Sequence, residues 1–145
     1  MRNERLKLVV AVHLFLVRDG KILLMRRFNT GWNDGLYSVP AGHLDGGEKA
    51  TDAMVREAKE ETGLTIDRSR LEVVHTMHRR SEHERIDLFF TAADWQGQPN
   101  ISERTKCDDM RWFPVEEVPR NMVPYVEAAL RNFQRGVTYS EFGWQ

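Results

Sequence analysis

Apolar residues in the first part of the chain fall into two short runs, Leu8 to Val17 and Ile22 to Met25, around the polar stretch Arg18-Asp19-Gly20-Lys21. Such runs flanking an Asp-Gly pair predict strands at about Lys7 to Val17 and Lys21 to Arg27, joined as a hairpin. A glycine- and aromatic-rich loop follows from Asn29 to Gly47, with Trp32, Gly35, Tyr37 and Pro40 in it. Glu48 to Thr62 holds no proline, glycine or cluster of β-branched residues and predicts a helix, which Gly63 stops by tolerating the left-handed conformation. Strands resume at about Leu71 to Met77 and Arg85 to Ala93, and Trp95-Gln-Gly-Gln-Pro-Asn100 has the composition of a turn. A short strand near Met110 to Phe113 precedes a last helix, about Val123 to Gln134, with Val126, Ala129, Leu130 and Phe133 on one face. Strands and helices are mixed without strict alternation, which predicts a mixed sheet between helices. The ending Tyr139 to Trp144 is too aromatic for a free tail and is expected to dock.

Length and charge narrow this picture. The 145 residues fit one domain, 1–145, with a core of its own. A net charge of −1 excludes a strong general attraction to nucleic acid or anionic membrane, so neither DNA nor a membrane is an expected partner. Arg2, Arg5 and Lys7 before the first apolar run have the look of a signal peptide, but His13 interrupts the run and no small-residue cleavage site follows. The run is also too short to cross a bilayer as a helix. With Cys107 the one cysteine, the reading is a cytoplasmic protein.

The informative chemistry lies on the first helix. Glu57, Glu60 and Glu61 stand at i, i+3 and i+4 and project from one face. A solvated acidic face would place cations three or four residues away, yet only Glu60 has one at such an offset, Arg56. Like charges at i,i+4 cost the helix about 0.2–0.5 kcal/mol per pair. The glutamates also continue the line of Ala50, Ala53 and Met54, so they point where the core side points. Carboxylates gathered in a partly enclosed place are neutralised by raised pKa values or by a cation. All-oxygen ligands suit a hard ion, Mg²⁺ or Mn²⁺, and Mg²⁺ is commonly shared with substrate phosphates. Gly42, Gly46 and Gly47 let backbone come close to a ligand ahead of the helix.

Gly42, five residues, Glu48, seven residues, then Arg56-Glu57-Ala58-Lys59-Glu60-Glu61-Thr62-Gly63-Leu64 resembles the complete Nudix box, with the small Ala58 in an aliphatic slot as its mildest departure. The resemblance covers residues 42–64 and implies an α+β fold, an α/β/α sandwich in which a mixed sheet lies between helices. It implies that Glu57, Glu60 and Glu61 bind divalent metal, with the Gly42 carbonyl as a further ligand. Glu48, Arg56 and Gly63 would hold the loop and helix together. The implied reaction is attack of water on a phosphorus of a diphosphate link. The base would be a box glutamate, Glu57 or Glu61, or the loop acid Glu103.

The loop Ile101 to Cys107 with Trp112-Phe113-Pro114 and Glu116-Glu117-Val118-Pro119 resembles the later part of MutT-like nucleoside triphosphate pyrophosphatases. The downstream proline of ADP-ribose pyrophosphatases is replaced by Arg79-Arg80, and the marks of dinucleotide and NADH hydrolases are missing. The implied partner is a small nucleotide, a (deoxy)nucleoside triphosphate or modified nucleotide, acted on by a monomer or homodimer. Arg26 and Arg27, like Arg79 and Arg80, are phosphate candidates. Trp32 and Tyr37 would stack on a base or pack beneath the loop as core. His75, His78 and His83 lack a regular zinc spacing, and Cys107 has no evident partner for nucleophilic work. A nucleotide sensor without turnover and a hydrolase of nucleotide sugars, dinucleotides or RNA 5′ ends are the alternatives.

Overall fold

The computed structural model describes residues 4–145; Arg2, one of the N-terminal cations, lies outside the described residues. The elements in chain order are β1 (Val9–Phe15), β2 (Val17–Arg18), β3 (Lys21–Arg27), β4 (Tyr37–Ser38), β5 (Ala41–His43), α1 (Ala50–Thr62), β6 (Leu71–Arg80), β7 (Glu84–Ala92), β8 (Cys107–Pro114), α2 (Pro124–Gln134) and β9 (Tyr139–Phe142).

The first apolar run is not one strand. β1 joins a five-stranded sheet in the order β5-β1-β7-β6-β9, parallel to β7 and antiparallel to β5. The chain then passes through Leu16, and only β2 pairs with β3. The predicted hairpin is therefore the short β2–β3 pair. Its turn residues Asp19 and Gly20 both have positive φ, 54° and 74°, as a tight turn between right-twisted strands requires. β3 belongs to a second, four-stranded sheet, in which β8 runs along its full length and β2 and β4 share its other edge.

Strand alternation divides the interior in two. Val12, Leu14 and Leu16 face one way with Leu23 and Phe90, and pack under Ala53, Met54 and Ala58 of α1. Phe15 faces the other way with Ile22, Leu24, Met77 and Phe89, and packs under Val126, Ala129 and Leu130 of α2. Two helices on opposite faces of sheet make the α/β/α sandwich.

The aromatic ending does dock. β9 lies parallel to β6 as the far edge strand, and Trp144 donates its indole N–H to the His78 carbonyl at 3.0 Å. His75 is buried and fastens this segment, hydrogen-bonding the Val137 carbonyl at 2.8 Å and the Ser140 hydroxyl at 2.7 Å. Among the described residues no helix is long and apolar enough to cross a membrane.

Candidate active site

Strand β5 is the near edge of the five-stranded sheet, and its register decides what each residue faces. Gly42 sits opposite Val12, whose side chain points into the α1 core, while Ala41 and His43 sit opposite His13 and Ala11. Cross-strand partners share a face. Gly42 therefore turns toward α1, and Ala41 and His43 turn toward the α2 side.

On the α1 side the chain comes as close as it can. A Cβ built on Gly42 would overlap the Glu57 carboxylate. The sequence places Gly42 where backbone would approach a ligand; the close approach in the structure is to the Glu57 side chain. One turn on, the Ala41 backbone N–H donates to Glu61 Oε1 at 3.2 Å. Glu57 and Glu61 interact with each other side by side at this strand edge. Burial pushes the Glu61 carboxyl well above the usual carboxylate range, against the pull of the Ala41 N–H, with the Glu57 and Glu103 charges adding to the rise. Burial raises Glu57 as well, and the neighbouring Arg56 guanidinium offsets part of that.

Glu60 stands apart from this pair. Its side chain is exposed and receives Arg56 Nη1 at 3.1 Å. Among the described residues no three acidic, histidine or cysteine side chains converge on one point. The structure thus brings together two members of the predicted trio and leaves the third at the rim. Arg56 also reaches Glu57 at 3.3 Å, a contact between adjacent residues that counting helical offsets misses.

Glu48 accepts a two-pronged contact from Arg56, Nε to Oε2 and Nη2 to Oε1, both at 3.0 Å, which ties the approach loop to the helix. Gly63 ends α1 with φ 77°, its N–H bonded to the Lys59 carbonyl at 3.0 Å. The loop carrying Glu103 is hung on the same helix end, with Asn100 N–H donating to the Thr62 carbonyl at 3.0 Å and Ser102 N–H to the Glu61 carbonyl at 3.3 Å. Glu103 and Glu61 consequently line one cleft of about 360 Å³, together with Arg26, Arg27, Ala41 and Cys107.

The other sequence candidates separate. Arg26 lines this cleft but is paired to Asp108 at 2.7 Å. Arg27 reaches both this cleft and a second one, donating to the Trp32 carbonyl at 2.7 Å and the Thr30 hydroxyl at 2.9 Å. Trp32 stays 45% exposed beside it and borders the second cleft. Tyr37 does not reach either cleft. It is buried beneath the loop, with its hydroxyl bonded to Asp109 and to Arg111, and so is core rather than a base-stacking residue.

Sequence reading missed a buried polar chain on the α2 side. Arg79 is buried, grips Asp87 at 2.7 and 3.3 Å, and lies 3.6 Å over the Tyr125 ring. His13 is stacked on Phe89 and hydrogen-bonds the Tyr125 hydroxyl at 2.9 Å. Burial lowers the His13 pKa to about 4 and raises that of Tyr125 to about 12, so both are neutral at physiological pH. The signal available was His13 within an otherwise apolar run, which marks a buried polar group awaiting a partner but does not name the partner.

With this geometry the family comparison is decisive: the NUDIX domain pattern matches residues 7–134. The chain belongs to the Nudix family. Among its Nudix relatives, the "Uncharacterized Nudix hydrolase YvcI" of Bacillus subtilis (strain 168) is 31% identical over 107 residues, 71% of this chain and 64% of that protein. The chain thus spans a little under two thirds of that relative's length. "Phosphatase NudJ" of Escherichia coli O1:K1 / APEC is 27% identical over 143 residues, 93% of this chain and 92% of that protein. The fold is shared with the crystal structure of a MutT NUDIX hydrolase from Burkholderia pseudomallei, at a TM-score of 0.79 and 23% identity, over 86% of this chain and 97% of that one.

Proposed function

We propose that this Nudix protein is a divalent-metal-dependent pyrophosphohydrolase. Its substrate is a nucleoside diphosphate derivative, most simply a (deoxy)nucleoside triphosphate or a modified nucleotide. The observation that carries the reading is the half-buried Glu57–Glu61 pair, pressed against the side-chain-free edge at Gly42 and lifted in pKa by its burial. Arg56 answers Glu57, so a second anion at Glu61 calls for a further cation beside the pair. The donor set is all oxygen and leaves coordination positions open to water and to substrate phosphates, which suits Mg²⁺ or Mn²⁺. Glu57 and Glu61 would hold the ion beside the Ala41–Gly42 backbone, with Glu60 as an outer ligand once it leaves Arg56. When bound, the ion supplies positive charge to the phosphate oxygens and the attacking water.

The chain's own groups account for the remaining needs. Water adds to one phosphorus, the bridging P–O bond breaks, and the proton of the water passes to a carboxylate. Glu61 and Glu103 line the cleft in which that water would stand, and the proton passes to one of these two carboxylates. Arg27, which borders both clefts, is placed to meet a substrate phosphate. The full-length likeness to a protein named a phosphatase, and the fold shared with a MutT hydrolase, agree with phosphorus-centred hydrolysis.

The test is a panel of triphosphates, oxidised triphosphates, nucleotide sugars, dinucleotides and capped RNA, each with Mg²⁺ and with Mn²⁺, with Glu61→Gln in parallel. Metal-dependent release of pyrophosphate from a triphosphate, falling about 10²-fold or more in the variant, is the expected result. Nucleotide binding with no turnover of any substrate would replace this reading with that of a sensor.

A further inference from the structure

The second cleft, about 330 Å³, opens on the α2-facing side of β5, and its lining differs in charge from the first. Arg27, Arg79, Arg85, Trp32, His43 and Tyr125 border it, and among the described residues no aspartate or glutamate does. The three guanidinium groups are not equivalent. Arg79 is answered by Asp87 beneath the floor. Arg27 donates only to neutral oxygens, the Trp32 carbonyl and the Thr30 hydroxyl. Arg85 has a buried Nε with no hydrogen-bond partner. A buried donor left unpaired within the protein calls for a partner, which an ordered water or a bound phosphate oxygen supplies.

Register explains how the positive groups gather. Arg85 stands opposite Arg79 on β6 and opposite Val9 on β1, one pleat repeat from Asp87, so it lies on the same sheet face as the Arg79–Asp87 pair. That face continues through Ala11 and His13 to Ala41 and His43 on β5. The cleft therefore ends at the Ala41–Gly42 step, whose opposite side carries Glu57 and Glu61. One substrate can lie across this open strand edge, with its scissile link on the carboxylate side and an anionic group on the arginine side.

We propose that Arg85, with Arg27, binds a phosphoryl group of the substrate other than the two that flank the scissile bond, so that the enzyme prefers substrates carrying a further phosphate. A planar guanidinium offers paired donors that match phosphate oxygens, and the absence of acids around the cleft removes competition for them. Arg85 is in this sense a specificity residue, and its role rests on the pyrophosphohydrolase reading for the substrate class but not for the binding itself.

Two measurements on the full chain test it. The first titrates inorganic pyrophosphate in the presence of EDTA by calorimetry, which reports the arginine cleft without the metal site. Arg85→Gln is expected to weaken binding about tenfold or more, the loss of a charge-assisted contact, while Glu61→Gln leaves it within about twofold. The second compares a nucleoside triphosphate with the matching diphosphate under Mg²⁺. Arg85→Gln should raise KM about tenfold for the triphosphate, with kcat and the diphosphate's KM little changed. Circular dichroism checks the fold of Arg85→Gln, and Arg85→Lys, which keeps the charge but loses the paired donors, is a second variant expected to show part of the same selective loss. Equal pyrophosphate affinity in wild type and both folded variants, or no binding by wild type, overturns the proposal. Pyrophosphate binding that depends on Arg85, in a protein that turns over no substrate, would instead refute the hydrolase reading and keep the phosphoryl site.

Discussion

Gly42 and the Glu57 carboxylate occupy adjoining space, with no room between them for a methyl group. The glycine is not needed for an unusual backbone, since its φ lies outside the left-handed region that marks nine other glycines of the described chain. It is needed because a strand edge and a helix face must meet at the carboxylate. The same contact fixes how far Glu57 can lie from Ala41, whose N–H holds Glu61.

Gly42→Ala should therefore damage the site more than the fold. The new Cβ must push Glu57 aside or lift β5, and ångström-scale displacement of a positioned group costs about 10²-fold in rate. Overpacking at one site costs about 1–3 kcal/mol. Steady-state kcat/KM and urea unfolding measure the two separately, and wild-type activity in Gly42→Ala would sink the argument.

The buried Arg79–Asp87 pair makes a different forecast, because each is the other's main charged partner. Arg79→Met leaves Asp87 charged, fully buried and without its main partner, and should cost about 3–5 kcal/mol in urea unfolding. Replacing both, as Arg79→Met with Asp87→Leu, should recover most of that loss. A double variant no more stable than Arg79→Met would show that the pair does not act as a unit.

These residues also mark where the sequence is legible and where it is not. The glutamate cluster and the Gly63 stop could be read because each depends on spacing within one helix, whereas the Glu48–Arg56 tie came only with the Nudix resemblance. Glu103 was found as a loop acid, but only tertiary tethering at Asn100 and Ser102 brings it to Glu61. Glu60 and Arg56 show the limit of counting offsets, since a long guanidinium reaches Glu48, Glu57 and Glu60 at once. The cationic cleft escaped notice because Arg27, Arg79 and Arg85 come from three strands: β6–β7 register sets Arg79 beside Arg85, and Arg27 arrives from the other sheet. β4, β5 and β9 escaped for a related reason. Their few residues carry no alternation of their own and become strands by pairing with β3, β1 and β6.

His13 ties stability to pH. Its folded pKa, about 4, lies below the ordinary value of 6.5 because the ring is buried. Between these values the unfolded chain binds a proton that the folded chain refuses. Stability is therefore full above pH 6.5 and is lost as pH falls toward 4, by up to about 3 kcal/mol from this group. Urea unfolding at pH 7.5, 6 and 5 should show a steeper fall for wild type than for His13→Phe. Parallel curves would mean that the ring takes up a proton without cost.

Glu61 carries the opposite sign, and with it a trade between stability and activity. Its folded pKa is raised, so the stability associated with the protonated form is present below the unfolded value near 4.5 and lost as pH rises through the folded value. At pH 7.5 without metal, ionising this buried carboxyl beside Glu57 works against folding. Glu61→Gln keeps an oxygen for the Ala41 N–H and removes the charge, so in EDTA it should unfold at a higher temperature than wild type. Adding Mg²⁺ should reverse the ranking, because an ion that binds only the folded state stabilises wild type and has lost a ligand in the variant. Thermal unfolding with EDTA and with Mg²⁺, read beside turnover, checks both halves. A Glu61→Gln protein that melts below wild type in EDTA would place the carboxylate in a structural role, whereas a reversal on adding metal would mark it as a residue kept for chemistry at the expense of the fold.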